Sequence, residues 1–299
     1  MDHSGQLIKI YIINLKKSAE RRNEMIQKLD RCGLEYEFFE AVDGPELPPD
    51  TIQRIKNQPY SFKDAFGRDM TLGEIGCAMS HLLVYKKIID EKIHAALVLE
   101  DDIDFDDRLQ SIVKSLKTAE VLQNKVDLVL LGYCTNDMIY NKGAEISWHK
   151  RLKIGNDIFF GIPVIWYWST IGYLISWRGA EKLLVPGTTP RMPSDFLTAN
   201  SPKYGVRLAI SSTPIIWPGE MNNLSHIGGG RGHPNKTRTS ATEIATKNLF
   251  EKRKEINLVE NLKQVYRSIR TQYHRSRKTI YRQYTKIIPA DYLYVSDKF

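Results

Sequence analysis

The chain has 299 residues, with 43 Lys+Arg against 35 Asp+Glu, a formal net charge of +8, an apolar fraction of 42% and a charged fraction of 26%. These values are ordinary for globular proteins and exclude low-complexity disorder, collagen and a disulfide scaffold for most of its length. The charge is unevenly spread: residues 231–286 hold 15 Lys/Arg and 4 Asp/Glu, net +11, while the rest of the chain is net −3.

Residues 7–15 are an apolar, β-branched run and predict a buried first strand. A helix is expected from about Ser18, a plausible N-cap, to Gly33, with Met25, Ile26 and Leu29 at helical spacing. Residues 36–42 predict a second strand, closed by the turn signal Asp43-Gly44-Pro45. Strand, helix and strand of this length form a βαβ unit, with a ligand crevice at the strand C-termini. Residues 45–70 read as irregular chain with a short helix. Thr71 precedes a helix over 73–91, and 95–99 is a strand running directly into Glu100-Asp101-Asp102. A helix over 108–124 and a strand over 126–133 follow.

Residues 158–177 contain no charged side chain, and twenty residues are enough to span a bilayer. The Gly, Pro, Ser and Thr within them, and their Trp, Tyr, Ile and Val content, favour two buried strands around a turn. A helix over 178–184, short strands over 206–210 and 214–217, a Gly-rich loop over 221–241 and helices over 242–288 complete the reading. This gives an α/β body, 1–241, and a basic amphipathic helical region, 242–299.

Cys32, Cys77 and Cys134 are far apart and lack metal-ligand or disulfide spacing, so reduced thiols in a cytosolic setting are expected and a zinc site is not. The N-terminal residues show no secretory signal pattern.

Three carboxylates at a strand end repel one another unless a cation or hydrogen-bond donors compensate. Mg²⁺ and Mn²⁺ prefer such ligands. On extended chain, Glu100 and Asp102 share one face, and Asp101 faces a ribose or a structural donor. The residues alone fit a metal site and a solvated loop equally. Ile13-Asn14-Leu15, followed by a helix start with Arg21 and Arg22, suits nucleotide or phosphate contact, and equally a capped helix with surface arginines. In Gly73-Glu74-Ile75-Gly76-Cys77-Ala78-Met79-Ser80-His81 the small residues permit close backbone approach. Ser80 and His81 offer hydrogen bonds to a ligand, although a lone histidine on such a helix is commonly a core residue.

Ile12 to Leu15, Arg21-Arg22, Ala41 to Gly44, Gly73 to Cys77 with Ser80-His81, and Leu99 to Asp102 occur in this order. Gly172 to Ser176, Gly179-Ala180, Leu183-Leu184 and Pro193-Ser194-Asp195 follow. The ordered set resembles glycosyltransferase family 25, the lipooligosaccharide galactosyltransferase family, over about residues 7–230. The resemblance implies a GT-A-like α/β fold and an inverting hexosyltransferase, with UDP-galactose as donor and a lipooligosaccharide core sugar as acceptor. It implies donor contacts from Ile13, Asn14, Leu15, Arg21, Arg22, Ala41, Asp43, Gly44, Gly73, Ser80, His81 and Asp101. It implies Mn²⁺ or Mg²⁺ on Glu100 and Asp102, with His226 a further candidate ligand or a plain loop residue. Asp195 is the expected general base, or a helix cap. A non-catalytic glycan-binding protein of the same fold is the alternative. The basic tail fits a helix lying on an anionic membrane surface, on the cytoplasmic face of a bacterial inner membrane, and equally a helical pair packed on the body. No nucleic-acid signature accompanies its charge.

Overall fold

The computed structural model describes residues 8–58, 68–134, 143–147, 151–155, 157–185 and 187–219. The expected Gly-rich loop and basic helices, and His226, lie outside the described residues.

The first strand, β1 (Lys9–Asn14), is buried at every position after its first residue, as a central strand covered on both faces must be. Helix α1 (Ala19–Arg31) buries Arg21, Met25 and Leu29, one residue per turn on one stripe. Ser18 occupies the N-cap position, but its side chain makes no capping bond. Strand β2 (Glu37–Glu40) pairs parallel with β1, Tyr11 opposite Glu37 and Asn14 opposite Glu40, completing the expected βαβ unit. A short 3-10 turn (Gly44–Glu46) and α2 (Pro49–Lys56) occupy the irregular stretch.

Helix α3 (Leu72–Asp90) starts at a capping box: the Thr71 hydroxyl accepts from Glu74 N at 3.1 Å, and the Glu74 carboxylate accepts from Thr71 N at 2.8 Å. Arg68 grips the same carboxylate with two bonds of 2.8 Å. Strand β3 (Ala95–Glu100) lies parallel to β1, and the short β4 (Ile103–Phe105) follows a bend at Asp101 and Asp102. The expected helix over 108–124 is divided into α4 (Arg108–Val113) and α5 (Leu116–Asn124). Ser115 restarts it, its hydroxyl accepting from Thr118 N.

Strands β5 (Leu128–Leu130), β6 (Leu152–Lys153), β7 (Phe159–Gly161) and β8 (Gly172–Ser176) come next. Helices α6 (Trp177–Leu184) and α7 (Ser194–Ala199) and strands β9 (Leu208–Ser211) and β10 (Ile216–Pro218) end the described chain. The eight-stranded sheet runs β2-β1-β3-β8-β5-β9-β7-β6, and β10 pairs with β4 in a separate ribbon. This is the expected α/β class, with a mixed sheet.

Residues 158–177 do hold two strands, but these do not pair with each other. β8 is inserted antiparallel between β3 and β5, whereas β7 lies on β9. No helix among the described residues is long and apolar enough to cross a membrane. The core joins the sheet interior (Ile10, Ile12, Leu97, Leu99, Val129, Leu174) to the inner faces of α1, α4 and α5.

Candidate active site

Strands β1, β2 and β3 run parallel, so their C-terminal ends open on one side of the sheet, where a cavity of about 300 Å³ lies. Ile13 and Leu15 line it from the end of β1, Ala41, Asp43 and Gly44 from the chain leaving β2, and Gly73, Ser80 and His81 from α3. Glu100, Asp101, Asp102 and Arg21 complete it. Twelve of the residues predicted for the donor and metal sites therefore meet at one crevice.

The wall between β2 and α3 depends on two glycines. A Cβ on Gly76 would stand 2.5 Å from Val42 O and 2.7 Å from Gly44 N, and one on Gly44 only 1.8 Å from Leu72 O. Ser80 fastens the same contact: its hydroxyl accepts from Val42 N at 2.8 Å and donates to Gly76 O at 2.7 Å. Its hydrogen bonds thus hold the crevice wall. Asp43 accepts from Lys17, which also lines the cavity.

Asn14 and Arg21 work on the carboxylates. Asn14 is buried and donates to Asp101 Oδ2 at 2.7 Å and to Ser18 O at 3.2 Å. Arg21, also buried, reaches Asp101 Oδ1 at 3.1 Å and Asp102 Oδ2 at 3.3 Å. Arg22 is not among the crevice residues; its guanidinium lies 3.8 Å over the Phe38 ring. The bend after Glu100 replaces the extended alternation expected for the triplet. Asp101 meets structural donors, while Glu100 and Asp102 still line the cavity.

Burial and the neighbouring Glu100 charge push the Asp102 carboxyl up to about 7, with Arg21 offsetting part of the effect. Burial raises Asp101 as well, against the Asn14 and Arg21 contacts. Arg21 alone therefore does not satisfy these carboxylates. The cluster thus keeps uncompensated negative charge, which an oxygen-seeking divalent cation would offset.

Beyond Glu100 runs a chain of polar contacts that the sequence did not announce. Thr170 Oγ1 lies 2.9 Å from Glu100 Oε1, 2.8 Å from Asp195 Oδ1 and 3.2 Å from Ser194 Oγ. Thr170 has a single hydroxyl proton, so it donates to one carboxylate at a time. Ser194 Oγ is 3.3 Å from Cys77 Sγ. Asp195 sits in the first turn of α7, which starts at Ser194, with Pro193 in the N-cap position. His81 is buried, with Nδ1 2.7 Å from the Tyr173 hydroxyl and Nε2 3.5 Å from Glu100 Oε1. One ligand atom from each of Cys77, His81 and Glu100 lies within 4.8 Å of the others. Cys77 and His81 are four apart on α3, which puts both on one face and corrects the expectation that the cysteines lack metal-ligand spacing. Thr170 carried no such signal, because only the antiparallel register of β8 brings it to the end of β3.

A parallel βαβ entry, a crevice at the strand ends and an acidic triplet define a candidate active site on an α/β scaffold. The sequence matches the family described as "Glycosyltransferase family 25 (LPS biosynthesis protein)" over residues 7–198, and the chain belongs to that family. It is 37% identical over 177 residues to a glycosyltransferase 25 family member of Aedes aegypti, covering 58% of this chain and 27% of that one. It is 28% identical over 280 residues to procollagen galactosyltransferase 2 of Homo sapiens, covering 85% and 42%. A glycosyltransferase 25 family member of Drosophila melanogaster is 30% identical over 228 residues, covering 70% and 35%. The chain thus spans less than half the length of these relatives.

Proposed function

We propose that this chain is a GT-A-like, inverting hexosyltransferase that moves galactose from UDP-galactose to a hydroxyl of a lipooligosaccharide core sugar. The observation that carries the reading is the meeting of Glu100, Asp101 and Asp102 with the glycine-walled cavity at the ends of β1 and β2. Diphosphate donors are commonly bound through a cation shared with such carboxylates. Galactose follows the printed names of the procollagen galactosyltransferases, and the acceptor class follows the family's description.

In this reading the crevice walls, from Ile13 to Leu15 and from Ala41 to Gly44, receive the nucleotide. Asp195 accepts the proton of the acceptor hydroxyl as that oxygen attacks the anomeric carbon and the bond to the diphosphate breaks. The Thr170 contact fixes the Asp195 carboxylate. Glu100 and Asp102 would hold Mn²⁺ or Mg²⁺, which offsets the negative charge of the departing diphosphate.

The test is a donor screen by UDP release on truncated lipooligosaccharide, with Mn²⁺ and with EDTA. UDP-galactose turnover that EDTA abolishes, and that Asp195→Asn lowers by about 10²–10⁴ while donor binding persists, is expected. Glycan binding without turnover of any UDP-hexose would overturn the reading. Galactosylation of a collagen-like peptide in place of the lipooligosaccharide would keep the donor and replace the acceptor.

The basic segment from 242 onward supports a seat on the cytoplasmic face of an anionic membrane, at about 1 kcal/mol per basic residue near the surface. Neutralising Lys252, Arg253, Lys254, Arg275, Arg277 and Lys278 to Gln should release the protein from anionic liposomes. Unchanged liposome retention would refute this seat.

A further inference from the structure

We infer that Cys77, His81 and Glu100 form a binding site for a thiophilic divalent cation, Zn²⁺ above all. The expected absence of a zinc site rests on the lack of CxxC or Cys/His motif spacing around the three cysteines. The fold supplies an imidazole and a carboxylate instead.

Three observations carry the assignment. First, the donor atoms converge: they lie within 4.8 Å of one another, and His81 Nε2 is 3.5 Å from Glu100 Oε1. Tetrahedral zinc with bonds of roughly 2.0–2.3 Å sets its ligand atoms about 3.3–3.8 Å apart. The imidazole and carboxylate already stand at that separation, and a movement on the order of 1 Å by the half-buried Cys77 side chain completes the set.

Second, His81 is 1% exposed, and its Nε2 is a buried polar atom with no hydrogen-bond partner among the described residues. Such an atom is costly unless something fills its valence. The same nitrogen is the one that faces Glu100.

Third, the other ring nitrogen is anchored. His81 Nδ1 lies 2.7 Å from the hydroxyl of Tyr173, itself completely buried on β8. With Nδ1 protonated and donating there, Nε2 presents its lone pair to the cluster. Metal-binding histidines are oriented by this kind of partner on the second nitrogen.

The donor set of thiolate, imidazole and carboxylate matches zinc and cobalt, and discriminates against Mn²⁺, which takes oxygen ligands. It is therefore chemically distinct from the carboxylate pair Glu100 and Asp102, although the two share Glu100. The inference does not depend on sugar transfer, and its test contains no sugar.

The metal-stripped 299-residue chain is titrated with Co²⁺ and followed by absorption. One equivalent should produce a near-ultraviolet sulfur-to-cobalt charge-transfer band, bleached by Zn²⁺ but not by an equal concentration of Mn²⁺. The band should disappear in Cys77→Ser, weaken at least tenfold in apparent affinity in His81→Gln, and persist in Cys32→Ser. On the unmutated protein, Zn²⁺ should slow alkylation at Cys77, located by peptide mapping, and leave Cys32 unaffected. This second measurement needs no variant to fold. The assignment is overturned by the absence of the band, by its survival in Cys77→Ser, by equal displacement with Mn²⁺, or by Cys77 alkylation indifferent to Zn²⁺.

Discussion

Asp102→Asn should make the protein more stable at pH 8 while removing sugar transfer. The side chain is only 11% exposed, it stands beside Glu100 and Asp101, and its one cationic contact among the described residues, Arg21 at 3.3 Å, is shared with Asp101. Raising this carboxyl from 3.8 to about 7 means that the folded protein holds the proton more tightly than the unfolded chain does. Stability from this group is therefore greatest below the unfolded value and is lost as pH rises through about 7. At roughly 1.4 kcal/mol per pH unit, the ionised form costs on the order of 4 kcal/mol. Asparagine has the same shape without the charge. Urea unfolding of both proteins from pH 4 to pH 8 should give nearly equal stabilities at the acid end and a gain of about 2–4 kcal/mol for Asp102→Asn at pH 8. UDP-galactose turnover by the same variant should be lost. A variant that is less stable than the parent at pH 8, or a difference that does not vary with pH, would refute the electrostatic reasoning. Undiminished turnover would refute the metal role of Asp102.

Three other perturbations test separate parts of the structure. Gly76→Ala drives a methyl group into the backbone of Val42 and Gly44, so a loss of about 2–3 kcal/mol in denaturant unfolding is expected, with weaker UDP binding by calorimetry. Thr170→Val deletes the hydroxyl between Glu100 and Asp195 at constant shape. The turnover number should fall roughly tenfold, with an unchanged KM for the donor, and Thr170→Ser should restore it. Asp127 is fully buried and bonded to Lys182 and to Arg207, each at 2.7 Å. Burial opposes its ionisation, but the Arg207 and Lys182 bonds outweigh burial and hold the carboxyl below its ordinary value. Its contribution is present above that ordinary value and fades as pH falls below it. Asp127→Ala should therefore lower stability by about 3 kcal/mol near neutrality, and by progressively less in acid, as read by unfolding midpoints.

Much of the crevice lining was legible because it is built from local signals. The apolar run before Asn14, the Asp43-Gly44-Pro45 turn and the small residues of α3 each specify a strand end, a turn or a close approach by themselves. The acidic triplet was legible for the same reason. Arg22 was not: two adjacent arginines look alike in sequence, but successive helical residues point about 100° apart, and only Arg21 faces the carboxylates. Thr170 and Tyr173 were not legible either, since their roles depend on which strand lies beside β3. Residues 158–177 carried an obvious strand signal, but strand propensity says nothing about pairing. The two strands, close in sequence, are separated in the sheet by β5 and β9.

The reversed strand β8 divides responsibility within the molecule. A parallel neighbour of β3 would bring to the reactive edge the chain that leaves it; β8 brings the chain that enters it, residues 162–171. This stretch carries Trp166, stacked on Trp168 with ring centres 6.4 Å apart and resting on Phe196 at 5.9 Å, beside Asp195. The crevice lining is drawn from residues 13–102 and the Thr170–Asp195 group from a later stretch of chain, and the two meet where Glu100 touches Thr170, Cys77 touches Ser194 and His81 touches Tyr173. Under the proposed function, variation in the later stretch would retune which hydroxyl approaches Asp195 while the earlier stretch stays unaltered. A mutational scan scored separately for donor hydrolysis and for acceptor choice would divide along that line in the sequence.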